Sequence, residues 1–174
     1  DPQVRVAVVE KALETFHFSS EWRDPVMSMV RDVLGTALEP DGPEQTKALT
    51  LLASWNLHTD KDNRQAALGV CVLLEEWLIE RSKEPLPPAR DTLVKCMASV
   101  TAISGRLDPQ WGEIQRHGRD GRTWAASGGP DTLRAMYSEQ LSDDDYRTVV
   151  AGDGLYYLIE WTADGEQIIR GTHQ

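Results

Sequence analysis

The sequence predicts an α+β fold: a helical region over residues 1–105, then a short helix and antiparallel strands over residues 106–174. Up to Gly105, apolar residues recur at helical spacing between breaks rich in proline and glycine. Beyond Gly105, glycine becomes frequent and the apolar period moves towards two. The chain then closes on "GLYYLIEWT", "ADGE" and "QIIRGTH", the pattern of a strand, a hairpin turn and a return strand. The change near Gly105 is a change of structural class and does not require two independent domains.

The elements follow in order. A first helix opens with Asp1 as N-cap and Pro2 at the first helical position, with Val4, Val8, Leu13 and Phe16 on one face. A second starts near Asp24 and Pro25, carries Val26, Met29, Val30, Val33 and Leu34, and stops at Gly35. At the turn "EPDGP", a third begins after Asp41 and runs through Leu49, Leu51 and Leu52 to Trp55. The fourth is the strongest signal: Asp60 or Asp62 as cap, then Ala66, Val70, Leu73, Leu74, Trp77 and Leu78 as an apolar stripe, ended by "EPLPP". A fifth covers residues 90–104. "WGEIQRHGRDGRTW" reads as a short strand, a turn and a second short piece, and "DTLRAMY" as a short helix capped by Asp131. "GLYYLIEWT" is apolar enough to expect burial on both faces.

Composition narrows the function classes. The chain has 174 residues, 40% apolar and 26% charged, enough for an ordinary core. Its net charge of −10 repels phosphate backbones and anionic lipid, so neither nucleic acid nor a membrane surface is expected as partner. No apolar run reaches the roughly 18 residues of a membrane-spanning helix, and no signal segment opens the chain. The opening "DPQVRV" has no Met, and a piece of a longer chain is expected.

Candidate chemistry is sparse. His17, His58, His117 and His173 show no metal-ligand spacing. No serine sits in a nucleophile elbow; Ser104, in "AISGR", reads as a helix end. Asp143, Asp144 and Asp145 are consecutive and read as a solvated loop, and "TDKDN" as a helix cap. "SGGPD" at 127–131 lacks the lysine and hydroxyl of a phosphate-binding loop and reads as a tight structural turn. A small enzyme built from Asp153, Glu160 and His173 rests on residue types alone. Cys71 and Cys96, both in apolar helical contexts, read first as free core thiols, with a disulfide between neighbouring helices as the alternative. The six tryptophans read as core anchors.

Four stretches, taken in order, resemble the penicillin acylase family, and within it the acyl-homoserine lactone acylases. They are "ALTLLASWNLHTDKDNRQAALGVCVLLEEW", "DPQWGEIQRHGRDG", "SGGPDTLRA", and "AGDGLYYLIEWTADG" with "THQ", covering roughly residues 45–174. Asn56 departs from the family's usual Asp, Asn63 from its common Ser and Gly154 from its usual Ser. The resemblance implies a C-terminal part of the large β subunit of an αββα N-terminal-nucleophile hydrolase. Its partners would be the α subunit and the N-terminal part of the β subunit. Its substrate would be a small acyl amide, an N-acyl homoserine lactone or a penicillin-like amide.

The family's nucleophile is the N-terminal Ser of the large subunit, exposed by self-cleavage, whose own α-amino group acts as base while an upstream Asn helps form the oxyanion hole. No residue of this chain matches either position, so no catalytic, cofactor-binding or metal residue is assigned. No cofactor is implied, and the calcium site of some members lies outside the matched region. The resemblance further implies a periplasmic or secreted enzyme. The alternative is a free-standing, non-catalytic α+β interaction module.

Overall fold

A computed structural model describes residues 40–174, except 84, 86, 131, 133, 134, 142–144, 154, 166 and 174; for residues 75–82, 153, 155–158, 160, 167, 169–173 the backbone alone is described. The two helices expected before residue 39, with Trp22 and His17, lie outside the described residues. The described part is mixed α+β: helices α1 (Pro43–Ser54), α2 (Ala66–Ser82), α3 (Ala89–Ser104) and the single turn α4 (Trp111–Ile114), then six strands. These are β1 (Gln115–Arg119), β2 (Arg122–Ala125), β3 (Ala135–Glu139), β4 (Arg147–Asp153), β5 (Leu155–Trp161) and β6 (Gln167–His173).

Local chemistry sets the helix ends. Pro43 occupies the first turn of α1, where the missing N–H is harmless, after Gly42 at φ 91°. The cap of α2 is Asn63, not Asp60 or Asp62: its Oδ1 accepts from the N–H groups of Gln65 at 2.9 Å and Ala66 at 2.8 Å. Helix α3 stops at Gly105, left-handed at φ 72°, whose N–H donates to the Thr101 carbonyl. The Ser104 hydroxyl is occupied by the carbonyls of Val100 and Arg106, so it belongs to that helix end.

The core differs from a one-sided stripe. Residues 66–70, Val72 and Leu73 are all buried, so the first two turns of α2 are enclosed nearly all round. Leu52 of α1, Leu68, Val72 and Leu73 of α2 and Leu93 of α3 are among its fully buried side chains. Leu107, Trp111 and Ile114 join the same cluster, so a single core spans both sides of Gly105. Cys71 and Cys96 are not free thiols: they form a disulfide between α2 and α3, with Cα atoms 5.7 Å apart. Two helices packed in one core bring the sulfurs within reach, which the sequence separation of 25 leaves invisible.

Four strands make a mixed sheet in the order β2-β1-β4-β3. The β1–β2 hairpin turns at Asp120 and Gly121, with φ 51° and 74°, as a two-residue turn between right-twisted strands requires. Strands β3 and β4 pair antiparallel, but β1 and β4 are parallel, which corrects the all-antiparallel expectation. Further corrections follow. Residues 135–137 of "DTLRAMY" are strand, not helix, because Ala135 continues from the Gly129 bridge into pairing with β4. "WGEI" is a helical turn before the strand.

The β5–β6 hairpin forms a separate two-stranded sheet, as its turn signal requires. It is not buried on both faces: Ile159 is 43% and Trp161 is 68% exposed. Trp124, 49% exposed, is likewise no core anchor, whereas Trp55 and Trp111 are. No described helix is long and apolar enough to cross a membrane.

Gly69 lies inside α2 against the ring of buried Trp55, where an added Cβ would collide with Cε3. The indole is fixed by its Nε1–H bond to the His58 carbonyl at 2.9 Å. Alanine gains about 1 kcal/mol of helix propensity, yet overpacking against a fixed ring costs about 1–3 kcal/mol. Gly69→Ala is therefore expected to lower stability by about 1 kcal/mol in urea denaturation. An equal or raised midpoint would show that the ring can move.

Candidate functional site

Three of the four stretches that resemble the family in sequence meet at one junction. Its first part is the loop between α1 and α2. Asn56 Oδ1 accepts from the His58 N–H and from Asn63 Nδ2, both at 3.0 Å, which closes this loop on itself. The second part is α4. The Trp111 N–H donates to the Asn63 carbonyl at 2.8 Å and the Gly112 N–H to the Lys61 carbonyl at 2.7 Å. Gly112 permits that approach, since a Cβ there would stand 2.9 Å from Lys61 Cβ and 2.6 Å from Ala125 Cβ.

The third part is the turn at residues 127–130. Gly128 adopts φ 99°, the left-handed region that favours glycine. Its N–H donates to the Thr59 carbonyl at 2.9 Å. Its carbonyl accepts from Trp111 Nε1 at 2.8 Å and from Gln115 Nε2 at 2.9 Å, both bonds buried. Ser127 Oγ accepts from the Lys61 N–H at 3.0 Å, and Gly129 exchanges bonds with the Thr132 side chain. Gly129 packs on Thr59, whose Cγ2 would be 3.3 Å from an added Cβ. Thr59, Gln115 and Thr132 are buried polar residues, and each of the latter two has its hydrogen-bond partner here.

The turn is thus an architectural corner, with the backbone groups of Gly128 and Gly129 spent on internal bonds. The Gly128 N–H, which an anion cradle would need, is committed to Thr59. Asp131 lies outside the described residues. An open groove of about 760 Å3 borders the corner, lined by Lys61, His117, Trp124, Ser127, Met136 and Val149 among others. The His117 and Trp124 rings lie across the β1–β2 pair, 5.7 Å apart.

The remaining candidates do not assemble. In the β5–β6 register Glu160 pairs with Ile168 and His173 with Leu155, which separates Glu160 from His173 by five strand positions, roughly 17 Å. That distance disfavours a catalytic set of Asp153, Glu160 and His173. His58 Nδ1 stands 3.5 Å from Asp60 Oδ2, a pair at the solvent-facing side of the loop. Asp145 is exposed, while Asp143 and Asp144 lie outside the described residues. Among the described residues no group of three His, Cys, Asp or Glu is placed to hold a metal ion.

Charge pins the stretch before α4. Lys47 Nζ meets Asp108 Oδ1 at 2.9 Å, and Arg64 donates to the Asp108 carbonyl at 3.1 Å. Arg106 grips both carboxylate oxygens of Glu113 at 2.6 and 2.8 Å. The hydrogen bond from Lys47 holds the Asp108 carboxyl below the usual aspartate range. No family model matches the chain, and no curated protein matches it.

Because Asp108 titrates lower when folded than when unfolded, its contribution is fully present above the ordinary aspartate range. It is lost as the pH falls through the lower folded value. The pair is partly exposed and screened, so Asp108→Asn is expected to cost about 0.2–1 kcal/mol at pH 7. The difference from the parent should close in acid, as read by urea denaturation across a pH series. A cost that persists undiminished below the folded value would assign the effect to something other than the charge.

Proposed function

We propose that this chain is the C-terminal part of the large subunit of an N-terminal-nucleophile amidohydrolase of the penicillin acylase type. One observation supports this most. Three of the four stretches that resemble the family, though up to about 70 residues apart in sequence, form one hydrogen-bond junction around a buried carbonyl. Motifs whose residues bond to one another describe one structural feature, and chance likeness in separate segments gives no reason for them to meet.

Two departures from the family pattern fit the same junction. Asn56 and Asn63 are bonded to each other, so the acceptor that an Asp would offer and the cap that a Ser would offer are both retained. The chain's role in such an enzyme is support. Its corner and core hold sheet strands, while the nucleophilic Ser, the α-amino base and the oxyanion-hole Asn belong to other parts. The parent's substrate would be a small acyl amide, an N-acyl homoserine lactone or a penicillin-like amide. The disulfide joining α2 and α3 favours an oxidising compartment, as an exported enzyme requires. The exposed Ile159 and Trp161 on β5 offer apolar surface for the remainder of the enzyme to cover.

The test has two halves. The purified chain of 174 residues should release no acid from N-decanoyl homoserine lactone or penicillin G above a buffer control. The longer reading frame containing it should yield two subunits on a denaturing gel and hydrolyse one of these amides. Replacing the first residue of the large subunit by Ala should abolish turnover, which belongs to that residue's hydroxyl and amine. Heat-sensitive turnover by the isolated chain, or activity that survives the Ala replacement, would overturn the proposal.

A further inference from the structure

The open groove of about 760 Å3 beside the corner takes its lining from all four strands of the mixed sheet. Trp124 and Val149 make it apolar, and Ala125, Ala151 and Gly152 are too small to break its surface. No carboxylate lines it among the described residues. The Trp124 indole is half exposed here and rests against the ring of His117, its cross-strand partner. The next cross-strand pair on that face is Arg119 with Arg122, because side chains alternate along a strand and opposite residues share a face. Arg122 follows two positions from Trp124, about 7 Å along β2. Like charges directly opposite one another destabilise a hairpin. Arg119 reaches Asp120 at 3.9 Å, but the two side chains are 82% and 92% exposed, so solvent screens the pair. Arg122 is exposed and joins no ion pair among the described residues. In a chain of net charge −10, this hairpin end is a place where an anion relieves a repulsion.

We propose that the groove binds a planar aromatic monoanion, its ring stacked along Trp124 and its anionic group between Arg119 and Arg122. The volume falls within the roughly 300–1,000 Å3 of small-ligand sites. The lining sets the shape of the ligand: the indole, braced by the His117 ring, offers a flat apolar face, and the small residues beside it leave room for a second flat ring. The hairpin end sets its charge. A guanidinium fork matches the two oxygens of a carboxylate, and one anion between two arginines turns their repulsion into two attractions.

Naphthoate is the probe, titrated calorimetrically into the full chain. Naphthalenemethanol carries the same ring without the charge, and decahydronaphthoate the same charge without a flat ring. One saturable naphthoate site is expected, with each control weaker by about fivefold or more. Trp124→Ala, at an exposed position, should weaken naphthoate about tenfold by removing the stacking face. Arg122→Glu should weaken it about fivefold or more. That change sets an opposite charge across from Arg119, so the thermal midpoint should not fall. Absence of saturable naphthoate binding would overturn the proposal. So would either control binding as tightly as naphthoate, or either variant keeping the parent affinity. Binding is read without turnover, so its outcome is independent of the acylase proposal.

Discussion

The carbonyl of Gly128 is the acceptor on which the described structure turns. It lies in a buried corner and receives the indole N–H of Trp111 and the amide of Gln115. A buried carbonyl without partners costs about 1–3 kcal/mol, so the corner persists only while those two side chains are present. Their positions in turn fix the surroundings. Trp111 sits on the turn that leaves the helical core, and Gln115 is the first residue of the mixed sheet. One carbonyl therefore ties helices to sheet. The backbone bonds from Trp111, Gly112 and Gly128 to the loop before α2 complete the joint.

The glycines there have separate duties. Gly128 supplies a left-handed backbone, while Gly112 and Gly129 allow close approach to Lys61 and Thr59. The tight turn is then explained by packing: the Gly128 N–H and carbonyl and the Ser127 hydroxyl are bonded to the loop before α2, to α4 and to β1. This is the physical content of the family likeness as well. Under the proposed function the corner would be a support, and catalysis would belong to other parts of the parent.

Much of this was legible in the sequence. Proline and glycine punctuation placed α1, α3 and the end of α2 to within a residue or two, and "ADGE" placed the β5–β6 hairpin. What escaped depended on distant partners. "AMYSE" becomes strand because β4 lies beside it, and local propensity gave no such signal. The parallel β1–β4 contact joins residues about 30 apart and follows from the corner's geometry. Asn63 outcompetes Asp60 and Asp62 as a cap because its amide also bonds Asn56, a partner seven residues back. The disulfide and the exposure of Trp124 and Trp161 are likewise facts of three-dimensional neighbours. The enclosed start of α2 looks like a stripe in sequence because apolar residues on all sides still include one at helical spacing.

The shared acceptor is tested most directly by a double-mutant cycle on its two donors. Trp111→Phe removes the indole N–H with modest loss of packing, and Gln115→Leu removes the amide at similar volume. Each single change leaves the Gly128 carbonyl one partner and should cost about 1 kcal/mol in urea denaturation. The double variant leaves it with neither side-chain donor, and should lose about 1 kcal/mol more than the two single losses added together. Strict additivity of the two losses would contradict the account, because it would mean that the two donors do not share one buried acceptor.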